Sequence, residues 1–282
     1  MMISVRKMKH CCLCFLSIAS LSITSHIAVL ANEPTNAQEA AEKKARENAE
    51  VAEKFAVWKE TLSPTQQKWE TVLEQNLGSF YLPLYQRDKI AGRVTAWDYV
   101  EETPGLPRVL LIGDSVSRGY TLSARKSLSG VANVLRAPEN CGPTAMGLKK
   151  LDIWLGDGKW DVIHFNFGIH DRRTPIADYE ARLEELIARM KGTGATLVWA
   201  TTTPIPSDWK EGPEVSQMML ERDAVAVKVM VKHGIKVNDL YSLILPQLKE
   251  TQNPQDVHFN GQGYELLGQQ VAETIRNVLT KE

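Results

Sequence analysis

From residue 108 onward, short apolar runs alternate with longer amphipathic stretches. The runs fall at 109–112, 132–135, 162–166, 196–200 and 235–238. Between them, near 117–129, 144–155, 176–191 and 214–233, apolar residues recur at helical spacing. A last helix, GYELLGQQVAETIRNVL, closes the pattern. Strands alternating with helices predict a parallel sheet covered on both faces. In such sheets functional groups gather beyond the carboxyl ends of the strands.

Ahead of this pattern the chain reads differently. Residues 35–60 are rich in Ala, Glu and Lys, with Val51, Phe55 and Trp58 at helical spacing near the end, which predicts a solvated helix or tether that becomes amphipathic. In LSPTQQKWETVLEQNLG, Ser63 caps, Pro64 suits the first helical position, Gln66 completes a capping box and Gly78 follows the last turn. Residues 79–105, with Phe80, Tyr81, Tyr85, Trp97 and Tyr99, have no clear period and are read as a strap packed on the main domain; an aromatic platform for sugars is the alternative.

The first 31 residues carry Arg6, Lys7 and Lys9 ahead of an apolar stretch ending Val29-Leu30-Ala31, the layout of a secretory signal peptide cleaved after Ala31. An uncleaved anchor is the alternative, against which Ser, Thr and His26 interrupt the stretch. Cleavage predicts a secreted or periplasmic protein and removes Cys11, Cys12 and Cys14, so Cys141 is left without an intramolecular disulfide partner. It also leaves 30 basic against 34 acidic residues, with no concentrated basic surface to suggest nucleic acid. The expected organisation is a signal peptide over 1–31, a helical extension and strap over 32–105, and a catalytic domain over 106–282.

Chemistry enters at VLLIGDSVSRGY, residues 109–120. Ser115, between an apolar run and a helix, is either a helix cap or a nucleophile. A nucleophile needs a base. Beyond the leader the histidines are His164, His170, His233 and His258. His233 beside Gly234 suits a helix end, and His164 within VIHFNF suits a buried strand. His170 and His258 lie in loops. Asp256 precedes His258 by two positions, which in an extended segment puts both on one side, so Asp256 can hold one ring nitrogen while the other faces Ser115. Cys141, between Asn140 and Gly142 with no base of its own, reads as a small packed side chain.

Gly-Asp-Ser after the first run, NCGPT after the second, GIHD after the third and DVHFN before the last helix resemble the ordered blocks of the SGNH/GDSL hydrolases, over roughly residues 108–279. The resemblance implies a flavodoxin-like three-layer αβα sandwich with a five-stranded parallel sheet and an N-terminal extension. It makes Ser115 the nucleophile and His258 the base, with Gly142 and the Ser115 amide in the oxyanion hole. Where the family carries Gly-x-Asn this chain has Gly168-Ile169-His170, so His170 takes the donor's place, with Asn166 as fallback. Where the family has Asp three residues before His this chain has Gln255, so Asp256 must orient the imidazole, or a Ser-His dyad remains. Asp114 reads as a brace for its turn and Asp171 as a brace for the His170 loop. Asn140, Asn166 and Arg172 are candidate substrate contacts, and Arg172 with Arg173 suits an acidic sugar or carboxylate.

The resemblance implies a cofactor-free serine esterase acting on small acyl esters, acetyl esters of carbohydrate first, with lipid or short-chain acyl esters as the alternative. Two other classes stay open. His170, Asp171, Asp256 and His258 could hold a metal for phosphoester hydrolysis, although no H-E-x-x-H motif is present. A non-catalytic glycan-binding role for the aromatic strap is the other. Oligomeric state cannot be read from the chain.

Overall fold

A computed structural model of the chain describes residues 36–280. The expected signal peptide and its cleavage point lie outside the described residues. The chain divides at Lys44: of the first unit only residues 36–44 are described, and everything that follows belongs to the second, Ala45–Glu282. Residues 45–105 therefore share a compact unit with the sheet.

Three helices come first, α1 (Asn36–Glu60), α2 (Pro64–Asn76) and α3 (Gly78–Ile90). The capping box at α2 is formed: Gln66 N–H donates to Ser63 Oγ at 3.4 Å and Ser63 N–H to Gln66 Oε1 at 3.1 Å. From Ala45 onward the extension has a core of its own, in which Phe55, Leu73, Leu77, Tyr85 and Trp97 are buried together. Inside it Tyr85 donates to Glu70, whose carboxyl burial raises to about 6. One expectation is corrected here. The first part of the 79–105 strap is helix α3, hidden from a periodicity reading because Pro83 sits within it and exposed Phe80 breaks its apolar face. Only residues 91–107 run as an irregular strap, pinned to the sheet where Asn133 exchanges hydrogen bonds with Thr103, 2.8 and 3.0 Å.

The alternating region folds as β1 (Arg108–Ile112), α4 (Ser115–Ser127), β2 (Asn133–Arg136), α5 (Thr144–Leu155), β3 (Val162–Phe165), α6 (Ile176–Lys191), β4 (Thr196–Ala200), α7 (Glu214–Lys232) and β5 (Lys236–Asn238). Two short helices, α8 (Leu240–Ile244) and α9 (Leu248–Thr251), lead to α10 (Gly261–Leu279). The sheet has order β2-β1-β3-β4-β5 and every pairing is parallel, with Leu110 opposite both Leu135 and Ile163.

Successive strand residues point to opposite faces, and this divides the core in two. Leu110, Ile112, Ile163, Phe165 and Trp199 pack on one face with residues of α5, α6 and α7. Val109, Leu111, Val134, Val162 and Val198 pack on the other with α4, α8 and α10. Strands buried on both sides must be apolar almost throughout, which is why they read as short continuous runs. The result is the three-layer sandwich, with all five carboxyl ends at one edge.

Candidate active site

Ser115 is the first residue of α4, at the carboxyl end of β1, and is 8% exposed. The cap of that helix is Asp114, whose Oδ1 accepts from Val116 N–H at 3.0 Å. Capping and hydroxyl chemistry are thereby assigned to different residues, and the Ser115 hydroxyl is free for another partner. Arg136, at the end of β2, fixes the turn from below: its guanidinium donates to the Gly113 carbonyl at 2.8 Å, the Asp114 carbonyl at 2.9 Å and Ser117 Oγ at 2.5 Å. Burial lowers its pKa from the usual arginine value.

The partner of Ser115 is His258. Its Nε2 lies 2.7 Å from Ser115 Oγ, and its Nδ1 lies 2.7 Å from Asp256 Oδ1. A carboxylate can only accept, so Nδ1 carries a proton and Nε2 is left to accept from the serine. The residues two apart meet for a reason other than the expected one. Residues 254–257 are turn and bend, not extended. Asp256 Oδ1 also accepts from the backbone N–H of His258 at 3.3 Å, the Asx-turn pattern in which an aspartate bonds its own chain two residues on. Gln255, which stands where the family carries its aspartate, has φ +54, so the chain turns there and Asp256 faces the ring.

Helix packing brings this turn to Ser115. Asn260 caps α10 by accepting from Gly263 N–H at 3.1 Å. Further along, a Cβ at Gly268 would fall 2.4 Å from that of Ser123 and 2.8 Å from the Tyr120 carbonyl, so only glycine permits α10 to lie this close to α4. Ser115 opens one of these helices and His258 precedes the other.

Two loops frame the opposite side. Cys141 N–H donates to the Gly113 carbonyl at 3.2 Å, which sets the Asn140-Cys141-Gly142 loop beside the Ser115 turn. The Cys141 thiol is buried and its pKa is pushed up to about 12, which keeps it protonated and unreactive. Asn140 Oδ1 is buried without a partner. In the third block, buried Asp171 accepts from Thr144 N–H at 2.7 Å, Thr144 Oγ1 at 2.8 Å and Thr174 Oγ1 at 3.0 Å, tying the two loops together. His170 stands exposed, with Nε2 3.6 Å from Asp114 Oδ2, too far for a hydrogen bond.

The other candidates are engaged within the protein. Asn166 spends its amide on the Ala200 carbonyl at 2.8 Å. Arg172, expected as a substrate contact, is held in a fork by Glu211 at 2.6 and 2.8 Å, an acid 39 positions away that the sequence could not pair with it. His233 caps α7 and pairs with Glu184. His164 is fully buried, its pKa lowered to about 4 by burial, and bonds Asn238 at 3.1 Å. Among the described residues no group of three His, Cys, Asp or Glu gathers as metal ligands. No described helix is long and apolar enough to cross a membrane.

Two features were not anticipated. A cavity of about 20 Å³ lies at the strand ends, its walls including Val116, Ile169 and Val257, the chain neighbours of Ser115, His170 and His258, together with Ile205 and Leu240. Such a volume admits about one water-sized group. The second is Tyr81 of α3, whose ring packs beside Arg118, one turn along α4 from Ser115. Burial pushes the pKa of Tyr81 up, opposed first by nearby Arg118.

This architecture has known counterparts. A lipase/acylhydrolase from Enterococcus faecalis is similar in structure at a TM-score of 0.55 and 22% identity, over 61% of this chain and 96% of that one. The acetyl xylan esterase AlAXEase gives 0.53 at 14% identity, over 60% and 99%. Axe2, an acetylxylan esterase from Geobacillus stearothermophilus, gives 0.51 at 15%, over 62% and 95%. No curated protein matches the chain significantly. The family model for GDSL-like lipases and acylhydrolases matches residues 111–266, which begins after α3 and spans the turn of Ser115 and the loop of His258. The chain belongs to the GDSL-like lipase/acylhydrolase family of SGNH hydrolases, and it is an acylhydrolase.

Proposed function

We propose that this acylhydrolase is an exported serine esterase that removes small acyl groups, acetyl first, from carbohydrate. The observation that carries the reading is the unbroken chain from Asp256 through His258 to Ser115, with both links at 2.7 Å. In this mechanism His258 Nε2 takes the Ser115 proton as the hydroxyl oxygen attacks the ester carbonyl. Asp256 keeps the imidazole in the required tautomer and stabilises the imidazolium that forms. The negative oxygen is met by the Ser115 and Gly142 amides and by His170. A neutral imidazole carries one ring N–H, which is the donor that this role asks of His170. The imidazolium returns its proton to the leaving alcohol, and water then repeats the steps on the acyl-enzyme.

Acetyl is favoured over longer acyl groups by the small cavity beside the site, whose size suits a methyl and not an alkyl chain. Carbohydrate is favoured by the two neighbours described as acetylxylan esterases. Export follows from the reading of residues 1–31.

A series of p-nitrophenyl esters tests the acyl assignment. Acetate is expected to be hydrolysed at least about tenfold more efficiently than octanoate, since a buried methylene that finds no room forfeits its transfer energy. Trimming the wall by Ile205→Ala is expected to move the preference toward longer chains. A wild-type enzyme faster on octanoate would favour a lipid substrate.

A further inference from the structure

The helical extension presents a second group of side chains to the serine. Arg118 lies one turn beyond Ser115 on α4, and residues three apart share a face. Its guanidinium sits 5.2 Å from the centre of the Tyr81 ring and 5.6 Å from that of Trp97. Among the described residues it makes no ion pair, and its Nε is buried without a hydrogen-bond partner. Buried arginine 136 adds a second positive charge, 5.9 Å from the Trp97 ring. A cleft of about 180 Å³ opens over this set, lined by Tyr81, Leu84, Asp88, Trp97, Arg118 and Leu122 among others. Its acid, Asp88, is taken by Arg93 at 2.7 Å. Arg118 is therefore left as the uncompensated charge of the lining.

An unpaired donor kept out of water is costly unless a ligand satisfies it. Aromatic faces beside a guanidinium fork suit a sugar ring that carries a carboxylate or sulfate. Tyr81 and Arg118 link the two places, since the Tyr81 ring flanks Arg118 and Arg118 stands one helical turn from Ser115. Arg172, the other candidate for such a group, is already saturated by Glu211.

We propose that Tyr81, Trp97 and Arg118 form a subsite for an anionic sugar residue, so that the ester cleaved at Ser115 belongs to an acetylated acidic glycan. The subsite rests on the esterase reading above. It is built partly from residues that precede the family-matched segment, which begins at residue 111.

The test compares acetate release by the full chain from an acetylated polyuronate, from its carboxyl-reduced neutral counterpart and from an acetylated sulfated glycan. A charged substrate is expected to be preferred about tenfold or more at low salt, as befits one charge-assisted contact, and the preference is expected to shrink as salt rises. Arg118→Gln is expected to lower the charged-to-neutral ratio by about tenfold through KM, and Arg118→Lys to restore part of it. Preference for the sulfated glycan would support the subsite and name its anion. Equal rates on charged and neutral glycans, alongside Ser115-dependent hydrolysis of p-nitrophenyl acetate, would overturn the subsite alone. Failure to hydrolyse any ester would overturn the esterase reading, and calorimetric titration with glucuronate and glucose would then judge the subsite: binding of glucuronate only, lost in Arg118→Gln, supports it, and no binding of glucuronate overturns it.

Discussion

Asp114 and Ser115 divide two duties that a serine at a helix start often combines. The aspartate satisfies the free N–H of Val116, and the serine keeps its hydroxyl for His258. The same economy holds at Asp256, where one oxygen holds both the ring and the backbone of His258. His170 carries the sharper prediction. If its Nε2 donates to the oxyanion, His170→Ala lowers kcat on p-nitrophenyl acetate by about 10²–10³-fold with KM little changed. Full activity in this variant would assign the donor elsewhere. At this scale the sequence was informative wherever partners are close in the chain or anchored by a short block. Asp256 and His258 are two positions apart, and the Gly-Asp-Ser turn marks its own place. It was silent where partners come from distant elements: Glu211 for Arg172, Arg136 beneath the turn, and Tyr81 of α3 for Arg118.

At the scale of elements, the five strands and the five longer helices from residue 108 onward were legible to within a few residues, because a sheet buried on both faces demands apolar runs and its covering helices demand a single apolar face, whereas the short α8 and α9 carry too few residues to show a period. Helix α3 was not legible, since Pro83 and a row of aromatics without period obscured it. The contact that matters most for the site, α10 against α4, was also invisible, because a glycine in a helix does not announce what approaches it. Gly268→Ala is expected to destabilise the protein by about 1–3 kcal/mol through overpacking, with the denaturant midpoint falling accordingly, and to reduce activity by shifting the loop of His258. Gly261→Ala, in the same helix with nothing within 4 Å of the added Cβ, serves as control and is expected to be neutral or slightly stabilising. Equal destabilisation by both would contradict the packing argument.

The whole molecule carries a pH dependence that its surface charge does not suggest. Asp223 of α7 is 9% exposed, with Oδ2 accepting from Thr202 N–H at 3.0 Å and Oδ1 without a partner. Burial raises its pKa from the ordinary aspartate value of 3.8 to about 7, with the Thr202 bonds pulling the other way. The folded state therefore binds more protons than the unfolded state between these values, and this residue's contribution to stability falls as pH rises from about 4 to about 7. Asp223→Asn lacks that loss. Its Tm relative to wild type is expected to climb across this interval, and a constant difference would show that the carboxyl is not buried as described.

The central claim is that His258 activates Ser115 for covalent attack. Labelling the full chain with a fluorophosphonate and mapping the modified peptide by mass spectrometry tests it most directly. The account predicts one label per chain, on Ser115, forming at least about 10²-fold more slowly in His258→Ala, as expected when the general base is removed. Label on another residue of an active enzyme, or an unchanged rate in that variant, would contradict it.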